Sequence, residues 1–183
     1  MKFSTKKLVY MAVLVAISII LTRMFGMMLP VGGAMVIRLS FGEIPIIMAG
    51  LLLGPLAGAL TGVAADLLGF MINSFGGPYF PGFTLTAALT GALPALILRH
   101  VREKGFSWKQ LLVAILITDI ITSVIMNTMW LHIMYNKALA VILPPRIIAR
   151  AMLIPVYTMI IYTMTKHPVL APWSSKPSTQ RVS

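Results

Sequence analysis

Long apolar runs, separated by short polar or glycine-rich segments, make up most of this chain. Several runs approach the roughly 17 to 25 residues that a helix needs to cross a bilayer, and few charges interrupt them. Pro55 interrupts one run and, because it lacks a backbone N–H, predicts a tight turn at Gly54; a single broken helix is the alternative. We predict six membrane helices, over residues 8–28, 44–53, 56–72, 83–98, 110–132 and 146–165.

The composition agrees with a membrane protein. Apolar residues fill 58% and charged residues 10% of the 183 positions, whereas soluble domains carry about 25% charged residues. The net charge of +11 comes from short basic clusters between apolar runs, which is typical of membrane topology signals rather than of a nucleic-acid-binding surface. The basic and apolar N-terminus resembles a signal peptide, but it lacks a convincing small-residue cleavage site, so we interpret it as a retained helix.

The basic residues also predict the orientation of the chain. Six helices place both termini on one side, where ten of the fifteen lysines and arginines fall. Because the more basic side faces the cytoplasm, we expect cytoplasmic N- and C-termini, with the loops after helices one, three and five outside. The fold predicted is therefore an all-α, polytopic membrane domain over residues 1–168, followed by a disordered cytoplasmic tail over residues 169–183.

A ladder of small residues leads to one buried carboxylate. Glycines recur every fourth position from 50 to 62, and Asp66 occupies the next position of that spacing. Small side chains let helices approach closely in lipid, so Gly58 and Gly62 predict a helix contact. A carboxylate on this face should point into the bundle, since exposure to lipid costs about 2.5 to 3.5 kcal/mol. Asp66 is either structural, as a backbone cap or an arginine partner, or a ligand or gating residue.

A polar stripe runs along the fifth predicted helix. Asp119, Ser123 and Asn127 recur every fourth position, and Trp130 follows. Residues at this spacing share one helix face and should line a cavity or a helix contact. Asn127 and Trp130 form a candidate recognition pair near the outer end; the alternative is a structural stripe with Trp130 as an interfacial anchor.

Two arginines share a face of the sixth predicted helix. Arg150 follows Arg146 by four positions and should lie about 6 Å deeper in the membrane. Guanidinium groups suit carboxylates and phosphates, which makes this pair a candidate anion site. Pairing with Asp66 or Asp119, or snorkelling towards the surface, is the alternative.

Two predicted outer loops add further candidates. Arg38 and Glu43 lie in the first, and Tyr79, Phe80 and Phe83 cluster in the second. Aromatic side chains in a loop framed by glycine and proline can clamp a flat ring or form an aromatic belt, and the sequence leaves both interpretations open.

The sequence contains no reactive constellation. The three histidines lie far apart at positions 100, 132 and 167, and the chain has only four carboxylate residues. It has no HExxH, GxSxG or phosphate-binding motif. We therefore predict that the chain is not an enzyme, binds no metal or cofactor of its own and cannot hydrolyse ATP.

Three stretches carry a family resemblance: RLSFGEIPIIMAGLLLGPLAGALTGVAADLLG at 38–69, GPYFPGFTLTAAL at 77–89, and NTMWLHIMY with LPPRI within 127–147. They resemble the folate-type substrate-binding S component of energy-coupling factor (ECF) vitamin transporters, and the likeness covers nearly the whole chain. It implies capture of a vitamin, here folate, at the outer face of a bacterial cell membrane. It also implies docking on a transmembrane coupling protein and two ATPase subunits that use ATP. In this family small residues of helix 1 contact that module, and Ala12 and Ala16 have the matching spacing.

The chemistry of folate suggests which part of the ligand each candidate residue would contact. The flat pterin suits stacking on aromatic rings, and its aminopyrimidinone edge suits an amide or a carboxylate. The two carboxylates of the glutamate tail suit arginine or lysine. The expected substrate-binding residues are Asn127, Trp130, Arg146, Arg38, Tyr79, Phe80, Phe83 and Lys137, with Asp66, Asp119 and Arg150 in structural or gating roles.

Other functions fit the sequence less well. An S component for thiamine, riboflavin or pantothenate is the nearest alternative, but a cationic substrate would need outer carboxylates, and Glu43 is the only one predicted there. A small membrane enzyme should show convergent acid–base or metal-binding groups. A scaffold subunit and a stand-alone channel are the remaining alternatives.

Overall fold

Six helical passes and one β-hairpin make up the part of the chain that the computed structural model describes, which is residues 4–31, 34–74, 77–99, 106–136 and 138–166. The tail predicted over residues 169–183 lies outside these ranges. Helices α5 and α6 join through a π-helical segment into one continuous pass. The elements are α1 (Thr5–Arg23), β1 (Met27–Val31), β2 (Ala34–Leu39), α2 (Glu43–Leu53), α3 (Pro55–Ile72), α4 (Pro81–Ile97), α5 (Trp108–Asp119), the π-helical segment (Ile120–Met126), α6 (Asn127–Tyr135) and α7 (Leu139–Lys166).

Membrane-length helices dominate the architecture. By length and composition, α1, α3, the continuous pass Trp108–Tyr135 and residues Leu143–Lys166 of α7 can cross a membrane, whereas α2 and α4 are apolar but shorter. Large apolar side chains stay exposed on the helices, such as Met71 at 80% and Met152 at 71%, as lipid-facing surfaces require. The prediction of an all-α fold with six membrane helices is confirmed.

The first helix ends earlier than the sequence analysis predicted. α1 stops at Arg23 instead of near residue 28, and β1 and β2 pair in an antiparallel hairpin from Met27 with Leu39 to Val31 with Ala34. The prediction of a long loop here was wrong. Apolar residues that were counted as membrane helix, together with the valine and isoleucine of β2, favour extended backbone.

The last helix begins earlier than predicted. α7 starts at Leu139, so residues that were assigned to a loop form its first turns, and Pro144 and Pro145 lie inside the helix rather than at its border. Proline removes a backbone donor, but membrane helices accommodate it where neighbouring groups satisfy the freed carbonyls.

The turn between α2 and α3 falls where the sequence predicts it. Gly54 has a φ of 108°, a conformation that residues with a side chain rarely adopt, and Pro55 opens α3. The chain reverses here, because a Cβ built on Gly58 would lie 2.6 Å from the Cα of Gly50 on α2. The segment is therefore two packed helices and not one broken helix.

The glycine ladder is a three-helix contact. A Cβ on Gly50 or Gly58 would lie 1.9 or 2.2 Å from the Gly91 carbonyl oxygen, and one on Gly62 would lie 2.1 Å from that of Ala87. Only glycine fits at such distances, so α4 packs backbone to backbone on α2 and α3. This contact sets how closely the polar residues beyond the ladder approach each other.

Candidate substrate-binding site

A cavity of about 210 Å³ lies among the helices at the end of the bundle where α1 and α3 finish. Side chains of α1, α2, α3, α4, α6, α7 and the π-helical segment line it, together with the segments that precede α2 and α4. It reaches the surface beside Tyr79, which is 44% exposed. The cavity is concave, enclosed by helices and lined by both aromatic and charged groups, as ligand sites commonly are.

The floor of the cavity is formed where α2 starts inside the bundle. α2 has 11 residues and spans about 16 Å, roughly half of the hydrocarbon thickness of a bilayer. Two hydrogen bonds hold the segment before α2 inside the helix bundle. Ser18 donates to the Gly42 carbonyl at 2.7 Å, and the Tyr157 hydroxyl donates to the Ser40 carbonyl. Glu43, the first residue of α2, consequently lines the cavity floor instead of an exposed loop.

An ion-pair triad lies at this floor. Arg150 Nη1 and Nη2 donate to the two carboxylate oxygens of Glu43, both at 2.8 Å, and Nη1 also donates to Asp119 Oδ1 at 3.0 Å. Arg150 and Asp119 are 8% and 5% exposed. Pairing of Arg150 with Asp119 was one predicted alternative, whereas the bond to Glu43 was not predicted. Arg146, one turn earlier on α7, brings the formal charge of the four side chains to zero.

Arg146 links α7 to the π-helical segment. Its Nη1 donates to the Ser123 carbonyl oxygen at 2.8 Å, and the side chain lines the cavity while only 7% exposed. In the π-helical segment hydrogen bonds step by five residues, as from the Asn127 N–H to the Thr122 carbonyl. Such segments occur often at functional sites, because they redirect the side chains and carbonyls of a helix.

Asn127 presents a buried acceptor at the cavity. Its Oδ1 is inaccessible to solvent, and no donor among the described residues reaches it. An acceptor left without a donor in a buried position costs about 1 to 3 kcal/mol, so a donor from a ligand would be favourable here. Ser123, one turn earlier, carries the carbonyl that binds Arg146, which places the amide and the guanidinium on the same side of the cavity.

Three aromatic side chains form another wall. Tyr79, Phe80 and Phe83 line the cavity, and the rings of Phe80 and Phe83 meet edge to face at 5.9 Å. Trp130 is not among the lining residues; its ring lies 5.5 Å from that of Phe80, and its Nε1 donates to Thr86 Oγ1 at 3.2 Å. The structure thus places Trp130 behind Phe80, and direct stacking of Trp130 on a ligand stays a prediction.

The other predicted residues are distributed as follows. Asp66 and Arg150 line the cavity, and Asp119 lies next to it in the ion-pair triad. The side chain of Arg38, on β2, and the whole of Lys137 lie outside the described part of the structure. Ala12 and Ala16 are exposed on α1.

Sequence reasoning missed two charged residues of the cavity. Arg23, at the end of α1, lines it and donates to the Asn73 carbonyl. Glu43 was assigned to an outer loop. The sequence carried little signal for either position, because charged residues at the ends of membrane helices usually reach towards the interface, and an interior position depends on how the helices pack.

A six-helix membrane bundle that encloses a charged and aromatic cavity defines a membrane-embedded small-molecule-binding protein. The sequence profile of one transporter family, the substrate-specific component of ECF transporters, matches residues 6–165. The chain belongs to this family. The family consists of substrate-specific transporter components and not of enzymes, so the predictions of a transport function and of a non-enzyme are confirmed.

Two similar proteins are named as folate transporters. The chain is 34% identical over 155 residues to the folate transporter FolT of Clostridium novyi (strain NT), covering 85% of each protein. It is 26% identical over 180 residues to the folate transporter FolT of Leuconostoc mesenteroides, covering 96% of this chain and 92% of that protein.

Two solved structures have folds similar to the fold of this chain. The crystal structure of FolT bound with folic acid has a TM-score of 0.78 at 28% identity, covering 91% of this chain and 96% of that one. The S component for biotin from an ECF-type transporter has a TM-score of 0.71 at 22% identity, covering 94% and 99%. At that identity the biotin protein shares the fold, and nothing about its ligand carries over.

Proposed function

We propose that this chain is the folate-binding subunit of an ECF-type importer in a bacterial cell membrane. The relatives named as folate transporters and the FolT structure with folic acid support this assignment. The bias of basic residues supports cytoplasmic termini, and with them a cavity that opens to the outside. The chain captures folate there, without a cofactor of its own.

The observation that carries the proposal is the combination of Asn127 Oδ1 and the Arg146 guanidinium on one side of an aromatic-walled cavity. The buried amide oxygen has no donor among the described residues, and the guanidinium suits a carboxylate. Folate supplies a flat ring system, N–H donors and two carboxylates. Rings of Tyr79, Phe80 and Phe83 supply apolar contact for the flat part.

Transport requires partners that carry the ATPase activity. We propose a transmembrane coupling protein and two ATPase subunits, docked on the exposed face of α1 that contains Ala12 and Ala16. Small side chains at a spacing of four allow a partner helix to approach closely in lipid. ATP is bound and used by the partner subunits.

A binding experiment on the purified chain tests the proposal. Folic acid should bind without ATP and raise the unfolding midpoint, because a ligand that binds only the folded state stabilises it. Asn127→Ala and Arg146→Ala should each weaken binding by about tenfold or more, from the loss of one charge-assisted or buried hydrogen bond. Met152→Ala, on the lipid-facing surface, is the matched control. A midpoint raised by biotin, thiamine or riboflavin and not by folic acid would overturn the folate assignment.

A further inference from the structure

Asp66, at the position after the glycine ladder, lines the cavity from α3, a helix that packs on α1, α2 and α4. Thr84 on α4 donates its hydroxyl hydrogen to Asp66 Oδ2 at 2.7 Å. The Tyr79 hydroxyl lies 2.9 Å from the same Thr84 oxygen. Because a threonine hydroxyl has one hydrogen, and Asp66 uses it, Tyr79 must be the donor to Thr84. The hydrogen bonds therefore run from the Tyr79 hydroxyl to Thr84 and from Thr84 to the Asp66 carboxylate.

These two hydrogen bonds hold the Asp66 carboxylate in one orientation and leave its Oδ1 oxygen available. Within the described residues, no group donates to Asp66 Oδ1, and no lysine or arginine forms an ion pair with Asp66. Tyr79 itself packs on Phe70 with ring centroids 5.3 Å apart, which fixes the outer end of this pair of hydrogen bonds. A carboxylate that is held at one oxygen and open at the other accepts hydrogen bonds from N–H groups with little loss of side-chain freedom.

We propose that Asp66 is a specificity-determining residue, whose Oδ1 accepts a hydrogen bond from the amino-substituted edge of a flat heterocycle lying against Tyr79, Phe80 and Phe83. The inference rests on the proposed function, and it orients the ligand. The amino-bearing ring lies towards α3 and α4. The carboxylate end lies towards α6 and α7, where Asn127 accepts the N–H of the amide next to the glutamate and Arg146 binds a carboxylate.

The orientation follows from comparing Asp66 with Arg146. Arg23 also lines the cavity beside α3, but its guanidinium donates to the Asn73 carbonyl. Asp66 is acceptor-only and negative, so it suits the donor-rich ring edge and repels the glutamate carboxylates. Arg146 is positive and only donates hydrogen bonds, so it suits the glutamate carboxylates and not the donor-rich ring edge. A ligand inserted the other way would place carboxylates beside Asp66 and leave donors facing a guanidinium, and like charges in contact are unfavourable by several kcal/mol.

The test compares three ligands on the wild-type chain and on Asp66→Asn. The ligands are folic acid, its 2-desamino analogue, which lacks the exocyclic amine, and pteroic acid, which lacks the glutamate. Wild type should bind the 2-desamino analogue about 10- to 100-fold more weakly than folic acid, the range for one hydrogen bond to a charged group. Asp66→Asn should lose a similar factor for folic acid and for pteroic acid, but less than about threefold for the 2-desamino analogue.

Two results would overturn the inference. One is equal loss for all three ligands in Asp66→Asn, which indicates a purely structural role. The other is a wild-type chain that binds folic acid and its 2-desamino analogue equally well, a result that stands even if Asp66→Asn does not fold. Thr84→Val, which keeps the carboxylate but removes its support, should reduce the preference for the amino group partially. If wild type binds none of the three, the proposed function itself is wrong.

Discussion

Arg150 holds both carboxylate oxygens of Glu43 at 2.8 Å, although the two residues lie 107 positions apart in the chain. Their contact ties α7 to the start of α2 at the floor of the cavity, and Arg150 reaches Asp119 on α5 as well. Three helices thus meet at one guanidinium. Because this group lies inside the bundle, its charge is compensated by neighbours and not by water.

Arg150→Leu should destabilise the fold, since it leaves the buried carboxylate of Asp119 and the partly buried carboxylate of Glu43 without their partner. Removal of one member of a buried ion pair typically costs about 3 to 5 kcal/mol, and Arg150→Lys should recover only part of this, because an ammonium group cannot bind Glu43 through two parallel hydrogen bonds. Chemical unfolding of the purified chain measures the effect. Lys6→Gln, at an exposed position of α1, is the control and should be close to neutral. An Arg150→Leu variant as stable as wild type would contradict the role assigned to the triad.

Gly58→Ala should also lower the free energy of unfolding. Its Cβ would lie 2.2 Å from the Gly91 carbonyl oxygen, so α3 and α4 must separate, at a cost of about 1 to 3 kcal/mol for overpacking. Ala151→Leu adds more volume on an exposed part of α7 and should leave the unfolding midpoint almost unchanged. If the two variants unfold alike, the backbone contact is not what stabilises this part of the bundle.

The glycine ladder and the Arg150 ion pair differ in how far the sequence could predict them. The glycine ladder was recognised because spacing along one helix is a local property, and small residues at that spacing have few other uses in lipid. The helix count followed in the same way from the lengths of apolar runs. The partner of Arg150 was harder to predict, because a choice between distant carboxylates depends on how the helices pack.

The hairpin and the depth of Glu43 were missed for a related reason. Apolar residues of β1 were counted as an extension of α1, although two apolar runs separated by Gly-Gly, as at positions 32–33 of the sequence, are typical of a hairpin. Once β1 and β2 are strands, the chain can return into the bundle before α2 begins. Glu43 then belongs to the cavity, which the length of α2, only 11 residues, indicated.

Docking should be separable from vitamin binding. Ala12→Leu combined with Ala16→Leu should leave folic acid binding unchanged and should abolish folate uptake in cells that contain the partner subunits, because larger side chains prevent a close helix approach. Val113→Leu, also exposed but on α5, is the control and should retain uptake. Normal uptake by the double variant would show that partners dock on another surface.

Phe80 and Trp130 should differ in their effect on binding, because one lines the cavity and the other supports it from behind. Phe80→Ala removes a ring that faces the ligand and should weaken folic acid binding by about tenfold, the effect of one aromatic contact and its buried area. Trp130→Phe keeps a ring against Phe80 but loses the hydrogen bond to Thr86, and should weaken binding by about threefold or less. Titration of both variants with folic acid measures the difference. A larger loss for Trp130→Phe than for Phe80→Ala would mean that the indole contacts the ligand directly, which requires the wall at Phe80 to move when folate binds.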